Sequence, residues 1–396
     1  MLHRVYFSPG MFGFGKLGAY DYFAHVESAI GKHLRDAGHE VQTFVVDVPP
    51  TASVRRRAAR LAELVSRTCE DEDGELGPIH LVGHSTGGLD ARLLASPSAV
   101  LPVDKETMRW MPRLASVTTM NTPHFGTPLA SFFATVSGQR MLYAVSALTI
   151  IGLTVGAPPL AAASAIVVAI GRIDRALGIE LSVLDRTTDA LLRVLDDTRS
   201  KEVRLYLDEI RDDQGSIIQL TPEAMDLFQA GVENRPGVVY QSSASMAPAP
   251  SPTRWMKTLG GPWSVISAPL FASMYGITAR YDERYPCAAP HAGVDAELLL
   301  VKAFERAPGA RANDGVVPLR SQIWGKLVWA GYGDHLDVLG HFRDPSAGTS
   351  ATKGRVDDSH VDWLSSGANF DRPAFESLMQ AIGHGMLNGP KASATT

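Results

Sequence analysis

Residues 79–95 read IHLVGHSTGGLDARLLA, and within them Gly83-His84-Ser85-Thr86-Gly87 is a G-x-S-x-G pentapeptide. The apolar run from Ile79 to Val82 leads into it, and an amphipathic segment carrying Leu89, Leu93 and Leu94 leads out. Strand, tight turn and helix are the setting in which a serine between glycines is pushed above the edge of a sheet as a nucleophile. Without those flanks the same pentapeptide would read as a plain glycine-rich turn. The flanking periodicity therefore selects the nucleophile elbow, with Ser85 at its tip.

A serine hydroxyl is a weak nucleophile near neutral pH unless a base takes its proton and an acid orients the base. On this kind of sheet the acid and then the base follow the serine along the chain. Asn313-Asp314-Gly315-Val316-Val317 reads as a turn opening into a strand, and Lys326 to Ala330 as a further strand running into Gly331-Tyr332-Gly333-Asp334-His335-Leu336-Asp337. His335 lies on a loop just past a strand and 21 residues after Asp314, so this pair is assigned as base and acid. His341 and His360 are the rival bases and sit further from the strand end. Only a neutral imidazole can accept the serine proton. His84, beside the nucleophile, reads as a packed elbow residue, and His124 as structural or pocket-lining.

An acyl-transfer serine also needs N–H donors aimed at the developing oxyanion. One falls to Thr86, the residue after the nucleophile, and the other to the loop after the first strand, Pro9-Gly10-Met11-Phe12-Gly13, with Met11 as the donor. The same region contains Gly13-Phe14-Gly15-Lys16-Leu17-Gly18, a literal G-x-G-x-x-G, and the second strand ends on Asp47. Those features fit a dinucleotide site. However, 36 of 396 residues are glycine and no helical pattern begins until about Ala19, so the match reads as coincidence and the loop as serving an oxyanion.

From Arg4 to Met120, β-branched runs (Val5–Phe7, Val41–Val46, Ile79–Val82, Leu114–Met120) alternate with amphipathic helices (Tyr20–Ala37 and Val54–Thr68, the latter capped by Ser53). This is the pattern of a parallel sheet covered on both faces, an α/β fold. Residues 141–171 are 31 positions without a charge or a histidine, broken at Gly156-Ala157-Pro158-Pro159. Neither half is long enough for a bilayer span of about 20 residues, so a hairpin of two apolar helices is expected. Residues 131–231 are read as a helical lid or cap, 1–130 and 232–390 as the core, and about 247–312 as an irregular insertion. A C-terminal helix starts at Asp371-Arg372-Pro373, with an aspartate cap and an early proline.

The formal charge of −5 and pI near 6.2 provide no footprint for nucleic acid. Arg55, Arg56, Arg57 and Arg60 read as a solvated helix face answered by the acidic stretch 70–73. Cys69 and Cys287 show no metal or disulfide spacing. The chain turns strand-like within four residues, with no charged segment and apolar run ahead of it, so a cytoplasmic location is expected, with peripheral membrane contact through 141–171 as the variant.

Together, the Pro9–Gly13 loop, Gly83–Gly88, Asn121-Thr122-Pro123-His124-Phe125-Gly126-Thr127-Pro128, Asn313-Asp314-Gly315 and His335-Leu336-Asp337 resemble the bacterial triacylglycerol lipases of the α/β-hydrolase fold. The resemblance covers about residues 4–130 and 310–342 and is strong only in the motifs. It implies Ser85, Asp314 and His335 as a triad, and a structural calcium held by Asp337 and Asp295. Departures are Pro9-Gly10 where the family carries His-Gly, His341 where it carries a calcium-orienting glutamine, and the absence of its disulfide cysteines. The expected function is hydrolysis of carboxylic esters with an apolar acyl part, with no cofactor required for the chemistry and a lipid or ester as substrate. A dinucleotide-dependent oxidoreductase and a non-catalytic lipid-binding module are the alternatives.

Overall fold

A computed structural model describes residues 1–11, 16–17, 20–69, 77–136, 138–139, 141–143, 145–146, 197–251, 262–289, 293–342 and 365–388. Its centre is a six-stranded sheet in the order β4-β1-β5-β6-β7-β8, with every neighbouring pair parallel. The strands are β1 (Leu2–Ser8), β4 (Glu40–Val45), β5 (Ile79–His84), β6 (Leu114–Met120), β7 (Val239–Met246) and β8 (Lys326–Tyr332). Two short strands, β2 (Lys16–Leu17) and β3 (Tyr20–Asp21), pair antiparallel outside it. The order, with the G-x-S-x-G turn after β5, is that of an α/β-hydrolase-like fold.

Alternation along β1 shows how the sheet is buried twice. Val5 and Phe7 face one layer, where α1 (Ala24–Asp36) contributes Val26, Ile30 and Leu34 and the C-terminal helix α10 (Arg372–Leu387) contributes Phe375, Leu378 and Ile382. Tyr6, between them, faces the other layer, formed by α2 (Val54–Thr68) with Leu61 and Val65 and α3 (Thr86–Ala95) with Ala91 and Leu94. A strand buried on both faces tends to an uninterrupted apolar run, as Val5–Phe7 of β1 shows, although β1 and β5 also bury His3, Arg4, His80 and His84.

Helix α2 starts and ends as expected, its first turn capped by Ser53 Oγ, which accepts from the Arg56 N–H at 3.3 Å. Asp371 caps α10 in the same way, accepting from the Ala374 N–H at 2.9 Å. Three expectations need correction, and one strand was not anticipated. Helix α1 begins at Ala24 rather than Tyr20, because Tyr20–Asp21 is spent on β3. Val316–Val317 is not a strand: the segment closes through a bridge between Asn313 and Pro318 and a 3-10 turn at Leu319–Gln322. The stretch expected to be irregular after 247 holds α8 (Pro262–Thr278), a helix that accommodates Pro269. Finally, β7 gave no sequence signal. Its Ser242, Ser243 and Ser245 have poor strand propensity, yet all are buried in the sheet interior. Of the expected cap, 147–196 lies outside the described residues, as does the apolar hairpin almost entirely. Among the described residues no helix is long and apolar enough to cross a membrane.

At the opposite end of the sheet from the elbow's turn, His3 Nδ1 lies 2.9 Å from His80 Nε2, and His80 Nδ1 lies 2.7 Å from Ser116 Oγ. Burial is the main cause that pushes His3 down to about 4, helped by His39 and the N-terminal amine, and His80 down to about 3. Both therefore fold neutral and protonate more readily when unfolded, so stability is flat above their ordinary value near 6.5 and declines as pH falls below it. Denaturant titrations should show roughly 2 kcal/mol lost from His80 alone between pH 7.5 and about pH 5. An unchanged midpoint across that interval would contradict the assignment.

Candidate active site

Ser85 forms the junction between β5 and α3 with φ 55° and ψ −127°, a conformation rare for any residue bearing a side chain. Close backbone packing explains why it persists. A Cβ on Gly83 would sit 2.2 Å from the Gly87 carbonyl, and a Cβ on Gly87 would sit 2.0 Å from the Ser8 carbonyl oxygen. The Ser85 N–H donates to the Met120 carbonyl at 2.8 Å, tying the turn to β6.

From 250 residues away, His335 brings Nε2 to 2.9 Å from Ser85 Oγ. Its Nδ1 lies 2.7 Å from Asp314 Oδ2. A carboxylate can only accept, so Nδ1 carries the proton, Nε2 presents its lone pair, and the Ser85 hydroxyl donates to it. Asp314 is held by every available partner: Oδ1 accepts the Val316 and Val317 N–H groups at 2.9 and 2.6 Å, and Oδ2 also accepts from Asn121 Nδ2 at 3.0 Å. The structure thus brings together Ser85, Asp314 and His335, all buried. His341 makes no hydrogen bond to Ser85 or Asp314, and His360 lies outside the described residues.

Behind this series lies a second one that sequence did not reveal. His84 Nε2 lies 2.8 Å from the His335 carbonyl, which can only accept, so Nε2 is the protonated nitrogen. Its Nδ1 then accepts from the Tyr22 hydroxyl at 2.7 Å, and the Tyr22 oxygen accepts the Gly10 N–H. Burial, reinforced by the neighbouring His335, holds His84 well below the usual histidine range, consistent with the neutral tautomer that this chain of bonds requires. His84 is therefore a packed residue of the elbow, as expected, and it links the Gly10 loop to the backbone of His335.

The Pro9–Met11 loop lies against the β5–α3 turn. A Cβ on Gly10 would lie 2.7 Å from Ser85 Cβ, so the loop packs directly over the nucleophile. Its underside is fastened by Arg57, whose Nη2 donates to the Pro9 carbonyl at 2.5 Å and Nη1 to the Pro49 and Pro50 carbonyls at 3.0 and 3.1 Å. Arg57 also pairs with Asp90 of α3 at 2.9 Å, and Asp90 accepts from Ser8 Oγ at 2.7 Å. Both charges are fully buried, and desolvation raises the Asp90 carboxyl against the pull of Arg57. This corrects the reading of the arginine cluster: Arg55, Arg56 and Arg60 are exposed, whereas Arg57 points inward. Sequence has no marker for it, since α2 places all four within two turns of one helix.

Met11, Ser85 and Thr86 line a cavity of about 20 Å³ together with Pro123, Thr127, Leu129, Ala130, Phe133, Leu220, Val316 and Val317. From α5 (Asp197–Asp212), the Tyr206 hydroxyl donates to the Met11 carbonyl at 3.2 Å. A larger cavity of about 560 Å³ opens beside Phe125, Trp324 and Cys287, with none of Ser85, Asp314 or His335 on its wall. Burial pushes its Cys287 thiol up to about 12, which leaves it protonated and a poor nucleophile. His124 is buried and structural: its Nδ1 accepts from Arg92 at 3.0 Å and its Nε2 donates to Thr119 Oγ1 at 3.0 Å.

Most of the Gly13–Gly18 stretch lies outside the described residues; among those described, the next helix begins at Ala24 and Asp47 is exposed. For calcium, Asp337 Oδ2 is engaged by the Asp334 N–H at 2.7 Å and Asp295 lies exposed in the first turn of α9 (Val294–Phe304). Among the described residues, no group of three or more histidines, cysteines or acids could hold a metal, and Asp337 and Asp295 belong to no such group.

No protein-family model matches the chain, and no curated protein does. Among solved structures it is similar to EstA from Clostridium botulinum, at 18% identity and TM-score 0.47 over 95% of this chain and 87% of that one. It is also similar to Staphylococcus hyicus lipase, at 17% and 0.46 over 96% and 94% of the two chains. Lipase 1 from Pelosinus fermentans matches at 17% and 0.47, over 92% and 97%. Likeness at this level assigns no activity.

The Arg57–Asp90 pair gives a stability test. Arg57→Leu strands a buried carboxylate and should cost roughly 3–5 kcal/mol in denaturant unfolding. Adding Asp90→Asn should recover part of that loss, because the stranded charge goes. Additive losses in the double variant would show that the two residues do not act as a pair.

Proposed function

We propose that the protein is a serine hydrolase that cleaves carboxylic esters with an apolar acyl part through an acyl-enzyme. The observation that carries this reading is the unbroken series Ser85 Oγ, His335 Nε2, His335 Nδ1 and Asp314 Oδ2, at 2.9 and 2.7 Å. In the proposed mechanism, Ser85 Oγ attacks the ester carbonyl as its proton moves to His335 Nε2. The carbonyl π electrons collect on oxygen, where the Met11 and Thr86 N–H groups stabilise them. Thr86 is the first residue of α3, so its N–H has no acceptor within the helix. Asp314 keeps the proton on Nδ1 and steadies the imidazolium. Collapse of the tetrahedral species breaks the bond to the alkoxy oxygen, which leaves with the Nε2 proton. Water then repeats the sequence on the acyl-enzyme: it gives its proton to Nε2, attacks the acyl carbon, and releases the acid and Ser85.

The apolar cavity wall formed by Leu129, Ala130, Phe133, Leu220, Val316 and Val317 supports an apolar acyl part. A cavity of about 20 Å³ holds no more than a water, so an ester must displace side chains above Ser85 as it enters. We further propose that the cap reading of residues 131–231 supplies this cover, because Tyr206 of α5 already reaches the Met11 loop.

Ser85→Ala should abolish hydrolysis of p-nitrophenyl esters, with a loss on the order of 10⁶ in kcat, while leaving the melting temperature nearly unchanged. His335→Ala should be equally inactive and His341→Ala mild. A fluorophosphonate should label Ser85 and no other residue in peptide mapping. An alanine variant retaining more than a few per cent of activity would place the nucleophile elsewhere.

A further inference from the structure

Thr86 is fully buried, yet its hydroxyl finds no hydrogen-bond partner among the described residues. A buried hydroxyl without a partner is uncommon and costly, and it calls for an explanation. The residue lines the same small cavity as Ser85 and Met11. The other polar side chains on that wall are spoken for: Ser85 Oγ lies on His335 Nε2, and Thr127 Oγ1 donates to the Val316 carbonyl at 2.5 Å. The remaining side chains lining the cavity are apolar and accept no hydrogen bond. Helical threonines often bond back to the carbonyl four residues earlier. For Thr86 that carbonyl belongs to Val82 in β5, inside the sheet rather than in a preceding helical turn.

We propose that Thr86 is a catalytic residue: its side-chain O–H is a third donor to the oxyanion, beside the main-chain N–H groups of Met11 and of Thr86 itself. This rests on the proposed ester hydrolysis and deepens it. No bond is made or broken by Thr86. As Ser85 Oγ bonds to the carbonyl carbon, the oxygen gains a full negative charge. A hydrogen bond donated to an anion is markedly stronger than one donated to a neutral carbonyl. The hydroxyl therefore favours the tetrahedral species over the bound ester. Its unsatisfied state is the cost of having the donor in place before charge develops. Thr86 also differs from the two N–H donors in one useful respect: a substitution can remove it without disturbing the backbone.

Thr86→Val keeps the shape and removes the hydroxyl. It should lower kcat for p-nitrophenyl butyrate roughly a hundredfold, with KM within about twofold of wild type. Thr86→Ser, which keeps a hydroxyl, should retain most of the rate. Because valine relieves an unsatisfied buried group, Thr86→Val should melt no lower than wild type, whereas loss of a structural hydrogen bond would lower the melting temperature. Butylboronic acid, which binds serine hydrolases as a tetrahedral adduct, should bind Thr86→Val more weakly by about the factor lost in kcat/KM. Wild-type kcat in Thr86→Val, or a fall in kcat with unchanged boronate affinity, would overturn the proposal. If the valine variant fails to fold, Thr86→Ala and Thr86→Ser decide it, since only the alanine variant should lose rate and boronate affinity together. Failure of the underlying reading looks different: wild-type protein would then resist fluorophosphonate labelling at Ser85, whatever the Thr86 variants do.

Discussion

The constraint on which the rest of the site depends is the backbone of Ser85, held at φ 55° and ψ −127° between a parallel strand and a helix. Such a conformation costs on the order of 1–3 kcal/mol and persists only where its surroundings leave no alternative. Here the surroundings are backbone against backbone. Gly83 touches Gly87, Gly87 touches the Ser8 carbonyl, and Gly10 touches Ser85, each closer than a Cβ would allow. One turn therefore decides where Oγ points, how near the β1 loop can come, and which end of α3 lies beside it.

Around that turn the molecule spends buried polarity to hold its loops. Arg57 is a cation inside the protein, matched to Asp90 and to three proline carbonyls. Its pairing couples α2, α3 and the loop after β1, three segments with no contact in sequence. The His84 series does the same between that loop and His335, using neutral groups whose donor and acceptor roles are set by the Gly10 N–H at one end and the His335 carbonyl at the other. A buried pair of this kind adds little net stability over an apolar one, but losing one partner is expensive. The arrangement specifies geometry more than it adds stability.

The closed state of the site follows from the same packing. Ser85 is only 6% exposed and the adjoining cavity is close to the size of one water. Exclusion of water strengthens each charge interaction inside and makes pre-placed donors more valuable than they would be at a surface.

Local pattern was enough for the elbow, for the alternation of strands and helices as far as Met120, and for the order serine, aspartate, histidine. Each of these is a short-range consequence of the chain: periodicity sets which faces are buried, and glycines mark where backbones meet. The caps at Ser53 and Asp371 were legible for the same reason, since a cap acts on the next three residues. Sequence could not show β7, because its serines enter the sheet only by virtue of what covers them. Nor could it separate Arg57 from Arg55, Arg56 and Arg60, whose difference lies in what α2 packs against. The partners Tyr22, Asp90 and Asn121, and the unpaired hydroxyl of Thr86, belong to the same class. Hydrogen bonds between residues 62 to 251 positions apart leave no periodic trace in the chain, and only the packing of strands and loops brings their ends within 3 Å.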